Sequence, residues 1–118
     1  MGITRGPNIV TNGLVFAVDA ANPSSYVSGS TIWKDQTVSQ NNGTLTNGPT
    51  FDSANGGSIV FDGTNDYVNC GNNTITKPSG PMTIEYWFKG KSSSANATTS
   101  GTTGGSGQRG YMLAVNNS

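Results

Sequence analysis

The chain has 118 residues, of which six are basic and six are acidic, so its formal net charge is zero. This balance excludes a typical nucleic-acid-binding protein, which needs excess positive charge to neutralise phosphates, and no apolar run is long enough for membrane insertion. Histidine is absent, which excludes a Ser-His-Asp or Cys-His nucleophile within the chain. The 17 glycines, together with many Asn, Thr and Ser residues, predict an all-β protein with many turns.

The first predicted element is an apolar strand near the N-terminus. We expect residues 1–12 to form an N-terminal arm and residues 13–118 to form one domain, which begins with GLVFAVDA. This nearly continuous apolar run predicts a strand that is buried on both faces. Asn22 and Pro23 then predict a turn, with at most one helical turn capped by Asn22.

Four short strands follow, separated by Asn-Gly pairs that favour chain reversal. These pairs begin at Asn42, Asn47 and Asn55. The predicted strands are residues 44–46, 49–52, 58–61 and 66–70. Cys70, the only cysteine, ends the last of these strands, and we interpret it as a small, buried or half-buried side chain.

The most regular strand pattern is MTIEYWFK, residues 82–89. Ile84, Tyr86 and Phe88 alternate with more polar positions, so we expect these three side chains to face a core. Trp87 lies on the other face of this strand. It is interpreted either as a side chain packed under a loop, which we favour, or as a platform for a ligand.

A long segment without large apolar side chains follows, from residue 90 to residue 110. Such a segment cannot contribute to a core, so we expect a flexible surface loop. The stretch YMLAVN at 111–116 then predicts another strand, which the loop would join to the preceding one.

The stretch FDGTNDY holds the most concentrated set of potential ligands, Asp62, Asn65 and Asp66. Carboxylate and amide oxygens are the ligands that calcium prefers, so these residues are a candidate metal site. Asp and Asn also form turns by accepting hydrogen bonds from nearby backbone N–H groups. We favour this second interpretation, in which the cluster is the turn of a hairpin between SIVF and DYVNC.

Four phrases in order, GLVFAVDAANPSSY, TIWKDQT, NNGTLTNGPTFDSANGGSIVFDGTNDYV and MTIEYWFK, resemble the N-terminal part of a laminin-G-like domain. This domain belongs to the concanavalin A-like lectin/glucanase superfamily. The four sequence motifs are similar to those of the laminin-G-like domains in virion structural proteins of tailed bacteriophages. The resemblance runs from Gly13 to Ser118 and implies an antiparallel β-sandwich with jelly-roll topology. Asp35 lies in the W-x-D wording of the family and is interpreted as loop architecture.

Domains of this family continue with several further strands, so the sandwich is expected to be incomplete at its C-terminus. Two explanations remain open. Either the sequence is part of a longer product, which we favour, or another chain supplies the missing strands.

The resemblance implies a non-enzymatic component of a virion surface, such as a capsid decoration protein, a fibre or a tail accessory protein. Its partners would be other virion proteins and cell-surface glycans, and it would form a homo-oligomer or be assembled in a particle. Trp33, Trp87 and Tyr67 are candidate carbohydrate-binding residues, because sugar faces pack on aromatic rings. Superfamily members often carry Ca²⁺ on a loop near the sheet rim, which makes Ca²⁺ the candidate cofactor.

Two alternatives are a structural accessory protein without a ligand and a glycoside hydrolase of the glucanase type. Glycoside hydrolysis needs a pair of carboxylates at a fixed separation. Glu85 is the only Glu in the chain, and its alternating neighbours are not acidic. We therefore expect no enzymatic activity.

Overall fold

The structure, a computed structural model, describes residues 10–77, 79–89, 97–101 and 112–115. These ranges contain short strands and two 3-10 turns, Ala54–Gly56 and Thr74–Thr76, but no α-helix. The strands are β1 (Ile32–Trp33), β2 (Gly43–Thr46), β3 (Thr50–Asp52), β4 (Ser58–Val60), β5 (Tyr67–Asn69), β6 (Ala97–Gly101) and β7 (Met112–Val115). Every strand pairing is antiparallel, which confirms the all-β prediction at this level.

The strands form three small sheets. The first has the order β1-β2-β5, the second pairs β3 with β4, and the third pairs β6 with β7. Leu45 lies opposite Val68 in the first sheet, and Phe51 lies opposite Ile59 in the second. These four side chains are less exposed than their neighbours along each strand, as expected when alternate residues face opposite sides of a sheet.

The strands predicted between residues 44 and 70 are confirmed, but the predicted hairpin between the last two is wrong. β4 pairs with β3, whereas β5 pairs with β2. Residues 61–66 therefore connect two different sheets. The alternation of apolar and polar residues within β4 and β5 is the same whether these strands pair with each other or with other strands. The local sequence therefore does not distinguish a hairpin from a connection between sheets.

The strand predicted for residues 13–20 is also wrong, because this segment forms no β-ladder. Its backbone is instead bonded to the loop that follows β1. The carbonyl oxygen of Ala17 accepts a hydrogen bond from the N–H of Gln36 at 2.8 Å, and that of Val15 accepts one from the Ser39 hydroxyl at 3.0 Å. Hydrogen bonds to a loop satisfy these backbone groups without a neighbouring strand.

The strand predicted for residues 82–89 is likewise absent from the structure. Alternation nevertheless persists locally. The rings of Tyr86 and Phe88 have centroids 5.8 Å apart, which places them on the same side of the backbone. Ile84 and Phe88 are 42% and 54% exposed, so the expectation that they face a core is wrong within the part of the chain that the structure describes.

The segment predicted as a flexible loop contains a strand. Residues 97–101 form β6 and pair with β7, which confirms the strand expected in YMLAVN. The loop prediction is therefore wrong for these five residues. Thr suits pleated backbone and needs no apolar neighbours to form a ladder. The remaining predicted loop residues, 90–96 and 102–110, and residues 1–9 of the predicted arm lie outside the described ranges.

The buried part of the described chain is centred on Tyr26 and Leu45, which are 5% and 7% exposed. The predicted turn leads into this region, since Asn22 accepts hydrogen bonds from the N–H groups of Ser25 and Tyr26 through its carbonyl oxygen. The Tyr26 ring packs against Phe51 with 5.3 Å between centroids. This contact joins the turn to the second sheet.

Among the described residues, no helix has the length and hydropathy needed to cross a bilayer.

Candidate functional site

A buried carboxylate organises the loop that follows β1. Asp35 is 6% exposed. Its Oδ1 accepts hydrogen bonds from the N–H groups of Ala17 and Thr37, each at 3.0 Å. Its Oδ2 accepts from the Thr37 hydroxyl at 2.8 Å and from the N–H of Asn41 at 3.0 Å. A carboxylate offers about four acceptor positions, so Asp35 is saturated by the protein itself.

The hydrogen bonds keep Asp35 ionised. Burial raises the pKa of this carboxyl, but the N–H groups of Ala17 and Thr37 oppose that effect. Together with the Thr37 hydroxyl and the N–H of Asn41 they hold the pKa below its ordinary value of 3.8. Asp35 is therefore a structural anion, which agrees with its interpretation as loop architecture.

Ser25 fixes the same loop from the other side. It is 1% exposed, and its hydroxyl donates to the carbonyl oxygen of Lys34 at 2.6 Å. The same hydroxyl oxygen accepts from the N–H of Asp19 at 3.0 Å. The N–H of Lys34 donates in turn to the carbonyl oxygen of Ser25 at 2.7 Å. The Asn22 turn and the segment after β1 are thus held side by side.

These two segments border an open polar cleft of about 290 Å³. The polar cleft is lined by Ser24, Lys34, Asp35, Gln36, Gln40 and Asn42. All of these side chains except Asp35 are exposed. None of them was predicted as a site residue. The available signal was the amide-rich stretch QTVSQNN directly after Lys34 and Asp35, but only folding brings it beside Ser24.

Part of the polar cleft is held in place by hydrogen bonds. Gln36 accepts from the amide of Asn22 and donates to the carbonyl oxygen of Ser24, both at 3.3 Å. Asn42 Oδ1 accepts from the N–H of Asp35 at 3.0 Å. Since that bond fixes which amide atom of Asn42 is the oxygen, its NH₂ group is left free to donate to a ligand.

The three predicted carbohydrate-binding aromatics differ in exposure. Trp87 is 95% exposed, so the favoured expectation that it packs under a loop is wrong. Tyr67 is 48% exposed on β5. Trp33 is half-buried, and its indole N–H has no hydrogen-bond partner among the described residues. Trp87 is therefore the aromatic that offers most surface to a ligand.

The predicted metal cluster is engaged in its own loop. Asp62 Oδ1 accepts from the N–H of Thr64 at 2.7 Å, and Asp66 Oδ2 accepts from the N–H of Asp62 at 3.0 Å. The carbonyl oxygen of Asn65 accepts from the Asn47 amide at 2.7 Å. The first two are the side chain-to-backbone bonds of a turn, although the turn joins two sheets. The third joins this turn to Asn47, which directly follows β2.

The hydrogen bonds of the turn do not use every carboxylate oxygen of this cluster. Asp66 Oδ1 is buried and has no hydrogen-bond partner among the described residues. The described ranges contain no group of three or more His, Cys, Asp or Glu side chains placed to hold a metal ion. Calcium binding by Asp62, Asn65 and Asp66 stays a prediction.

Comparison of the chain with protein-family models, with curated proteins and with solved structures gave no match.

Proposed function

We propose that the chain is a non-enzymatic glycan-binding module of the laminin-G-like kind, a jelly-roll β-sandwich carried on a virion surface. It would act in adhesion, as part of a capsid decoration protein, a fibre or a tail accessory protein. It would be assembled with other virion proteins and with further copies of itself. The antiparallel sheets support this proposal at the level of fold class.

The observation that carries the glycan-binding proposal is the exposure of Trp87, at 95%. An indole ring is large and apolar, and leaving it in water forgoes the free energy that burial would contribute. Sugar rings present apolar C–H faces that pack on such a platform. Because Tyr86 and Phe88 contact each other on one side of the backbone, Trp87 between them is directed to the other side.

A glycan array tests the proposal. We expect labelled protein to bind a defined subset of glycans and the Trp87→Ala variant to lose at least about tenfold in affinity, because a stacking platform is removed. The matched control is Val38→Ala, which shortens a fully exposed apolar side chain (100% exposed) outside the 81–89 segment. Its binding should equal that of the original protein.

Stability measurements separate loss of the ligand platform from loss of folding. Substituting an exposed side chain changes the free energy of unfolding by only about 0.5 kcal/mol or less. Trp87→Ala should therefore unfold at the same urea concentration as the original protein. An array without any bound glycan would refute the glycan-binding proposal, and equal binding by Trp87→Ala would refute the role of Trp87 as its platform. Antibody labelling of purified particles tests the virion location separately.

A further inference from the structure

We propose that the polar cleft is a second ligand site, which takes one acidic sugar residue through its carboxylate. The proposal rests on the proposed glycan-binding function and names the class of sugar recognised away from Trp87. It is carried by the side chains of Ser24, Lys34, Gln40 and Asn42.

The exposed charge in the lining of the polar cleft favours an anionic ligand. Lys34 is the only basic residue that lines the polar cleft, and its ammonium group forms no ion pair among the described residues. The one carboxylate in the lining, Asp35, is buried, and protein donors occupy both of its oxygens. It therefore cannot accept a hydrogen bond from a ligand, and the exposed Lys34 ammonium group is the one charged group of the lining that a ligand can contact directly.

The hydrogen-bonding groups of the polar cleft favour the same ligand. The Lys34 ammonium group can only donate, and the Asn42 amide retains its NH₂ group after its oxygen is used by Asp35. The Ser24 hydroxyl and the Gln40 amide have no partner among the described residues, so both can serve a ligand. A donor-rich surface with one positive charge matches a carboxylate flanked by hydroxyl groups.

Size and rigidity limit the ligand to a small one. Pockets for drug-sized molecules have volumes of about 300–1,000 Å³, and the polar cleft, at about 290 Å³, lies at the lower end. Its two walls are joined by reciprocal hydrogen bonds between Ser25 and Lys34. A preformed site avoids the entropic cost of ordering its walls when the ligand binds. One monosaccharide unit, free or within a glycan, fits these limits.

Titration of ¹⁵N-labelled protein with glucuronate, followed by NMR, tests the proposal, with glucose as the neutral counterpart. We expect glucuronate to shift the backbone amide signals of residues 24, 34–36 and 40–42. Glucose should bind there at least about tenfold more weakly, because it lacks the charge that Lys34 recognises. Lys34→Gln should weaken glucuronate binding by a similar factor. Lys77→Gln, which removes a positive charge outside the polar cleft, should leave it unchanged.

The outcomes separate this proposal from the proposed function. Equal affinity for glucose and glucuronate, no shift at the polar cleft, or full affinity in Lys34→Gln would each overturn the acidic-sugar site. If the array then still shows Trp87-dependent binding, the proposed function stands without this site. Conversely, glucuronate binding that survives Trp87→Ala on a protein that binds nothing on the array would support the polar cleft and refute the Trp87 platform.

Discussion

The substitution Asp35→Asn removes the charge of the buried carboxylate and one of its acceptor oxygens while preserving its shape. In the original protein the two oxygens accept three backbone N–H groups and one hydroxyl. The new amide can still accept from Ala17 and Thr37 through its oxygen. Its NH₂ group faces the N–H of Asn41, which then has no acceptor, whereas the Thr37 hydroxyl can rotate to accept.

The expected cost follows from these changes. An unsatisfied buried N–H costs about 1–3 kcal/mol, and the two retained bonds each weaken by about 0.5–1 kcal/mol once the acceptor is neutral. We therefore expect Asp35→Asn to lower the free energy of unfolding by about 3 kcal/mol. Small domains are stable by about 5–15 kcal/mol, so the variant should still fold.

Urea denaturation at neutral pH measures this difference. The matched control is Asp52→Asn, because Asp52 is exposed and its side chain accepts a single hydrogen bond, from the N–H of Ala54 at 2.9 Å. This control should lose less than about 1 kcal/mol. If Asp35→Asn costs no more than Asp52→Asn, the buried carboxylate does not organise the loop and the reasoning is wrong.

The pH dependence gives a second test of Asp35. Its pKa in the folded protein lies below the ordinary value of 3.8, so the unfolded chain binds more protons in this range. The stabilisation by Asp35 is therefore complete above about pH 4 and is lost as the pH falls through the folded pKa. The difference in stability between the original protein and Asp35→Asn should shrink as the pH is lowered from neutral to below the ordinary carboxyl pKa of 3.8. A difference that stays constant would contradict the lowered pKa.

Two further predictions concern Gly43 in β2 and Cys70, which directly follows β5. Gly43→Ala should lower the free energy of unfolding by about 1–3 kcal/mol, because the new Cβ would lie 2.6 Å from Val68 Cγ1. The control is Gly80→Ala, since nothing lies within 4 Å of a Cβ built at Gly80. Equal midpoints of urea unfolding for the two variants would contradict the prediction. Burial raises the pKa of the Cys70 thiol above 9.0, and the charge of Asp35 raises it further. When the rate of reaction of Cys70 with a disulfide reagent is plotted against pH, the midpoint of the curve should therefore lie at lower pH in Asp35→Asn than in the original protein. An unchanged midpoint would show that Asp35 does not act on this thiol.

Local sequence predicted the short strands and the turns well. The strands expected at 44–46, 49–52, 58–61 and 66–70 correspond to β2 to β5. Asn55 and Gly56 form the turn between β3 and β4, with φ values of 55° and 96°. Gly and Asn tolerate this left-handed backbone, so the reversal was visible in the residue types alone.

The Asn-Gly pair at Asn42 shows the limit of predicting turns from local residue types. Gly43 begins β2, and the left-handed residue of this connection is Gln40, with a φ of 48°. Asn42 uses its side chain to accept from the N–H of Asp35 instead. The choice depends on a buried carboxylate that also bonds Ala17, which lies 18 residues from Asp35 in the sequence. A pattern read over a few residues does not contain this partner.

The sequence by itself therefore determined an antiparallel all-β chain, the positions of four strands and the absence of a histidine-based nucleophile. Tertiary structure decided that β4 and β5 lie in different sheets, that residues 13–20 bond to a loop, that Trp87 is exposed, and that a polar cleft forms beside Asp35. The physical reason is the separation along the chain between the residues that interact. Turns and alternation depend on the preferences of adjacent residues, whereas strand pairing, exposure and cleft formation depend on partners that are distant in the chain.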